Sequence, residues 1–129
     1  MSLNTSLMRD WLKAQTTKPW FVTPFDDEMP DVHGLITVVP GPGMLREGTF
    51  YNAAIQLSWL GKQRVNESAE DFARSTDEML MDSMLYPHSL WGCRVLSCDW
   101  VGGAPSPVQR VDAGRRATWT CTYLFDASR

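Results

Sequence analysis

The stretch from Ser68 to Leu85 constrains this chain most, because it reads as an amphipathic helix that needs a surface to cover. One face repeats at helical spacing and consists of Ala69, Phe72, Ala73, Thr76, Leu80 and Met84. Ser68 and Asp71 have the spacing of a capping box, which predicts that the helix begins there. Such a helix is marginal alone in water, so its apolar stripe must pack on other elements.

Strand patterns lie on both sides of this helix. Tyr51 to Trp59 alternates large apolar residues with small or polar ones, as a half-buried strand does. Cys93 to Val101 and Arg116 to Tyr123 follow the helix and alternate in the same way. Trp20 to Val22 and Val32 to Val39 are two further strand candidates.

A short amphipathic helix over roughly residues 3–15 opens the chain. The predicted order is therefore helix, strand, strand, strand, helix, strand, strand. The 129 residues fit one domain, 1–129, with one modest core. We expect an α+β fold, in which the central helix and the short N-terminal helix pack on a mostly antiparallel sheet.

Two Gly/Pro-rich segments are predicted to be exposed loops, and long loops in small domains are often functional. They are Pro40 to Gly48 and Gly102 to Gly114. The second separates the last two strands by more residues than a tight hairpin needs.

The charge is unevenly distributed along the chain. Residues 65–92 carry six acidic side chains and one basic, a net charge of −5. Residues 93–129 carry five arginines against three acids, a net charge of +2. The acidic helix and the arginine-bearing hairpin either attract each other between subunits or form two solvated faces. The overall charge of −3 argues against a general nucleic-acid binder.

No pattern in the chain indicates catalysis or metal binding. His33 and His88 have no second histidine or cysteine at metal-ligand spacing. The acids between Asp26 and Asp31 lack the glycine and alternation of a calcium loop, which favours a solvated turn. We therefore expect no catalytic residue, no metal and no cofactor, and a binding or structural protein rather than an enzyme.

The three cysteines favour a reduced protein without disulfides. They are odd in number and contain no Cys-x-x-Cys pair. Cys98 and Cys121 are candidates to lie opposite each other across the final hairpin, as packed thiols. The N-terminus lacks a signal peptide pattern, and no apolar run approaches membrane-spanning length.

The order of elements resembles the tail terminator proteins of long-tailed bacteriophages, also called tail-completion or minor tail proteins. The resemblance covers nearly the whole chain. Four parts carry it: the N-terminal helix from Leu3 to Gln15, the strand pair before the central helix, which ends with Asn52 to Leu60, the central helix, which begins with Ser68 to Phe72, and the final hairpin, which has a Pro-containing loop from Gly102 to Gly114 and ends with Thr118 to Tyr123.

The resemblance implies a homo-oligomeric ring, a hexamer in that family, that caps the tail tube, ends tail elongation and receives the head. The implied partners are the tail tube protein and the head–tail connector protein, without a membrane or a sequence-specific nucleic acid. The implied location is the virion tail, assembled in the host cytoplasm. The alternatives are another tail tube or head–tail connector subunit, or a small ligand-binding α+β domain.

The candidate residues for a subunit or tail-tube interface follow from the loops and the charge split. They are Met44, Arg46, Asp77, Glu78, Asp82, Arg110, Arg115 and Arg116. We predict that Arg115 or Arg116 of one subunit contacts Asp77, Glu78 or Asp82 of its neighbour, because a guanidinium can hold a carboxylate through two hydrogen bonds.

Overall fold

The seven predicted elements occur in the predicted order. The structure is a computed structural model and describes residues 5–22, 32–39, 50–63, 65–82, 94–108 and 116–128. In chain order the elements are α1 (Thr5–Thr16), β1 (Trp20–Phe21), β2 (His33–Val39), β3 (Phe50–Gln63), α2 (Asn66–Met81), β4 (Arg94–Val108) and β5 (Arg116–Ser128).

The strands form one five-stranded sheet in the order β1-β2-β3-β5-β4. Only the short β1–β2 pair is parallel, and the other three pairs are antiparallel. With α2 against β3, β5 and β4, this confirms the predicted α+β fold with a mostly antiparallel sheet. The helix α2 connects β3 to β4, but these two strands are not neighbours. The strand β5 lies between them, and β4 forms the edge of the sheet.

The helix-covered face of the sheet is buried in its centre and exposed at its sides. In one row across the strands, Val38 pairs with Ile55, Ile55 with Tyr123, and Tyr123 with Trp100. Ile55 and Tyr123 are buried, whereas Val38 and Trp100 are 56% and 44% exposed. The width of the sheet therefore leaves an exposed tryptophan on the edge strand.

The apolar faces predicted for the central helix and for the strands beside it lie in one core. The buried cluster contains Ile55, Leu57, Trp59, Phe72, Leu80, Trp119 and Cys121. The five described members of the predicted α2 stripe, from Ala69 to Leu80, are all buried. Met8, Trp11 and Leu12 of α1 join the same cluster, so the N-terminal helix also contributes to this core.

The predicted start of the central helix is wrong. The helix begins at Asn66, and its N-cap residue, Val65, makes no side-chain cap. Ser68 instead lies in the first turn, where its hydroxyl donates to the Val65 carbonyl at 2.6 Å and accepts the Lys62 N–H at 2.8 Å. Ser68 therefore joins the end of β3 to the helix. At the other end the helix stops at Met81, four residues earlier than predicted.

The predicted loop from Gly102 to Gly114 is wrong in its first half, because β4 continues to Val108 through a bulge. The register moves from Val101–Thr122 to Ser106–Thr120, so residues 102–105 lie opposite the single position 121. The bulge contains two glycines with φ of 84° and 105°, a left-handed region that favours glycine. A Gly/Pro-rich sequence is thus compatible with a bulged edge strand as well as with a loop.

The bulge also overturns the expected pairing of two cysteines. Cys98 lies opposite Phe125, whereas Cys121 lies opposite the bulge. The Cys121 Sγ is 3.5 Å from the carbonyl oxygen of Gly103.

Several predictions fall outside the residues that the structure describes. These are the loop from Pro40 to Gly48, the acidic turn from Asp26 to Asp31, His88 and residues 109–115. In the described part, neither helix is long and apolar enough to span a membrane.

Candidate functional site

The Asp77 carboxylate links the central helix to the two last strands. Asp77 Oδ1 accepts a hydrogen bond from the Tyr123 hydroxyl at 2.7 Å and another from Trp100 Nε1 at 2.8 Å. Tyr123 lies on β5 and is fully buried, and Trp100 lies beside it on the edge strand β4. The exposed indole of Trp100 is therefore held in place by a hydrogen bond to α2.

The environment of this link keeps two potential nucleophiles protonated. Burial raises the pKa of Tyr123 well above its ordinary value, and its hydrogen bond to Asp77 raises the pKa further. Burial likewise raises the pKa of the Cys121 thiol to about 11. The hydrogen bond with Tyr123 opposes this rise, and the negative charge of Asp77 adds to it. Both groups therefore stay protonated near neutral pH.

A groove of about 200 Å³ lies between α2 and β4, next to the Asp77 hydrogen bonds. Its lining, which we call the α2–β4 groove, consists of Arg74, Asp77, Glu78, Trp100, Ala104 and Pro105. The helix supplies the charged wall. The strand supplies an aromatic ring and, through its bulge, an alanine and a proline.

The charges in the groove are unequally compensated within the chain. Arg74 donates to Glu70 Oε1 from Nε at 3.0 Å and from Nη2 at 2.8 Å, and its Cζ lies 5.9 Å from the ring centre of Trp119. Among the described residues, neither Asp77 nor Glu78 forms an ion pair. The groove therefore contains two carboxylates without a cationic partner in the described chain, and it is electronegative.

A second cavity, of about 490 Å³, lies where the end of α1 approaches the first turns of α2. It is lined by Thr16, Lys18, Val32, Lys62, Ser68, Asp71, Phe72 and Ser75. Thr16 is already used within the chain, because its hydroxyl donates to the Leu12 carbonyl and accepts from Trp20 Nε1. Two lysines and one aspartate remain as the charged groups of this cavity.

The predicted interface acids, on α2 and at its C-cap, differ in their surroundings. Glu78 and Asp82 are exposed, whereas Asp77 is half-buried and hydrogen-bonded within the chain. The predicted arginine Arg116 is the first residue of β5, where its backbone lies opposite Gln63. The predicted residues Met44, Arg46, Arg110 and Arg115 lie outside the described part, so the contact between subunits stays a prediction.

Sequence reasoning missed Trp100 and Tyr123 as partners of Asp77. Both residues stood on correctly predicted strands, with Tyr123 on the buried side of β5. The missing information was the register between β4 and β5. The bulge at residues 102–105 shifts this register, and as a result Trp100 lies opposite Tyr123.

The described residues contain no group of three or more His, Cys, Asp or Glu that is arranged to hold a metal ion. His33 is buried in β2, with the Phe21 ring edge-on to it at a centroid distance of 5.8 Å. This position is consistent with a core residue of the sheet.

Comparison with known proteins supports the fold. No family model matches the chain, and no curated protein matches it. One similar solved structure, which has only a sequence identifier for a name, matches over 99% of this chain and 98% of its own length. The TM-score is 0.55 and the sequences are 18% identical, so the similarity concerns the fold alone.

Proposed function

We propose that this chain is a structural protein of a bacteriophage virion. Its copies form a ring that caps the tail tube, ends tail elongation and joins the tail to the head. The proposal starts from the resemblance of its sequence pattern to tail terminator proteins. The observation that carries it further is the long edge strand β4, with Trp100 exposed on it.

The edge strand supports self-assembly because an unpaired strand edge can accept another chain. Within the described residues, β4 pairs with β5 on one side only. Its second half contains the bulge, Pro105 and Pro107, which limit pairing with a further strand. Its first half, residues 94–101, has no proline, contains only a one-residue shift of register between Val95 and Ser97, and ends with two exposed apolar side chains, Trp100 and Val101. This segment is the part of the sheet best suited to contact a neighbour.

A non-enzymatic role agrees with the chemistry of the described site. Tyr123 and Cys121 are held protonated, and Asp77 already accepts two hydrogen bonds. These groups stabilise the junction between α2, β4 and β5 instead of presenting a reactive atom.

A terminal ring and the related tail tube subunit predict different effects on tail tubes. A terminal ring should cap the tubes and stop their growth when this protein is added, whereas a tube subunit should extend them.

The second candidate function is binding of a small ligand in the cavity between α1 and α2. Its volume of about 490 Å³ lies in the range of small-molecule sites, and Lys18, Lys62 and Asp71 provide charged groups around Phe72. A ligand screen by thermal shift tests this reading. A stabilising ligand whose effect disappears in Lys62→Ala would favour it over the ring.

The ring proposal is tested by light scattering of the purified protein, alone and with tail tubes of the same phage. We expect a closed particle of several subunits, or one that forms only on the tube end. Electron microscopy should then show tubes that no longer elongate. A protein that stays monomeric at high concentration, also with tubes present, would refute the proposal.

A further inference from the structure

We propose that the α2–β4 groove binds an arginine side chain from a second copy of the chain. This inference rests on the proposed ring function and names the contact that would join neighbouring subunits. The groove is the receptor, and the arginine-bearing segment 110–116 of the neighbour is the ligand.

The chemistry of the groove suits a guanidinium group. Asp77 and Glu78 supply two carboxylates, and the hydrogen bonds to Asp77 from Trp100 and Tyr123 both fall on Oδ1. In the described chain Oδ2 receives no hydrogen bond, so it is available to a new donor. The Trp100 ring is 44% exposed and lines the same groove. A guanidinium can donate two hydrogen bonds to a carboxylate and stack on an indole at the same time.

The groove is also preorganised to bind. The Trp100 side chain would be free to rotate on an edge strand, but its Nε1 is fixed to α2 at 2.8 Å. Ala104 and Pro105 lie on the same wall of the groove as Trp100, and the proline ring restricts the backbone there. Binding therefore needs little ordering of the receptor, which is a major cost in forming such contacts.

The arginines nearest in sequence belong to segment 110–116, which contains Arg110, Arg115 and Arg116. On β5 the backbone of Arg116 is four residues before Thr120, the partner of Ser106, and seven residues before Tyr123, the partner of Trp100. This corresponds to roughly 13–23 Å along the strand. Arg74 lines the groove, but its guanidinium is bonded to Glu70. A second copy can bring its arginine to the groove in a head-to-tail contact that joins two different surfaces.

The first experiment measures binding of a peptide with the sequence of residues 108–117 to the full-length protein by calorimetry. We expect saturable binding that Glu78→Gln weakens by about three- to fivefold, because one exposed charge pair contributes about 0–1 kcal/mol. Glu67→Gln is the matched control, since this exposed acid lies on α2 about 15 Å from Asp77 along the helix axis. It should leave the affinity unchanged.

Two further readouts distinguish an arginine site from general attraction between charges. A peptide with lysine in place of its three arginines should bind more weakly, because lysine lacks the planar fork. The NMR signal of the Trp100 indole N–H, assigned with Trp100→Phe, should shift when the arginine peptide binds. Equal binding by both peptides, or a shift that is absent at Trp100, would overturn the inference.

The second experiment measures particle size by light scattering at low and high salt. Reversal of charge in the double variant Arg115→Glu, Arg116→Glu should prevent assembly, and added Glu78→Lys should restore it. A ring that is unaffected by these changes would refute the groove contact and leave the ring proposal intact. Conversely, peptide binding to a protein that never assembles would support the groove as an arginine site and refute the ring.

Discussion

The hydrogen bond from Tyr123 to Asp77 should make a measurable contribution to stability. In Tyr123→Phe the buried ring remains and only the hydroxyl is lost, so the change isolates the 2.7 Å bond. Hydrogen bonds to charged groups contribute about 1.5–3 kcal/mol. Asp77 is half-buried and keeps its bond from Trp100, so water can partly replace the missing donor. We therefore expect the free energy of unfolding to fall by about 1.5–2 kcal/mol.

The same acceptor provides an internal comparison. Trp100→Phe removes the other donor to Asp77, but this indole is 44% exposed, so water replaces its bond more readily. Its loss should cost about 0.5–1 kcal/mol, at the lower end for a hydrogen bond. The buried donor should thus matter about twice as much as the exposed donor.

Urea unfolding followed by tryptophan fluorescence measures these values. Asp77→Ala combined with Tyr123→Phe completes a double-mutant cycle, for which we expect a coupling energy of about 1 kcal/mol. A loss below about 0.5 kcal/mol in Tyr123→Phe, together with no coupling, would mean that the bond does not join α2 to β5.

Three other perturbations test the core and the thiol. Leu57→Ala should lower the free energy of unfolding by roughly 2–5 kcal/mol, because Leu57 is fully buried; a near-neutral result in urea unfolding would contradict the strand register. Gly34→Ala should lower it by about 1–3 kcal/mol, because the added methyl would clash with the Trp20 ring; an unchanged melting temperature would disprove this packing. Stability should also fall as pH rises from about 9 to 11. Cys121 stays protonated up to about pH 11 in the folded protein but ionises near pH 9 in the unfolded chain. Its contribution to stability is therefore complete below pH 9 and decreases progressively up to about pH 11, and Cys121→Ala should flatten the curve of stability against pH between about 9 and 10.

The periodic parts of the fold could be predicted from the sequence because burial alone determines them. The α2 stripe from Ala69 to Leu80 is buried as its spacing indicates, and Leu57 lies in the core as the alternation of its strand requires. These patterns depend on which face of an element is apolar, and a sequence states that directly.

The local ends of elements could not be predicted in the same way, because tertiary partners changed them. Ser68 resembles a helix cap, but its hydroxyl accepts the Lys62 N–H at the end of β3 and donates to the Val65 carbonyl, and the helix starts two residues earlier. Likewise, Gly102 and Gly103 signal a break in regular backbone, but they do not reveal whether the strand resumes after it.

Asp77 illustrates why the candidate site was only partly predictable. Its charge and helical position indicated an outward side chain, and this holds for its neighbour Glu78. The direction of Asp77 is instead set by Tyr123 and Trp100, whose donors meet at one carboxylate oxygen. That meeting depends on the register of β4 against β5, which no local sequence pattern specifies.

The two carboxylates of the groove should therefore respond differently to substitution. Asp77 holds Trp100 and Tyr123 and also faces the groove, so Asp77→Ala would reduce stability and binding together. Glu78 is exposed and has no ion pair among the described residues, so Glu78→Gln would reduce binding while stability stays within about 0.5 kcal/mol. A variant that lost binding in proportion to stability at both positions would show that the groove matters only through folding. If the groove is an arginine receptor, Glu78→Gln must weaken binding without lowering stability.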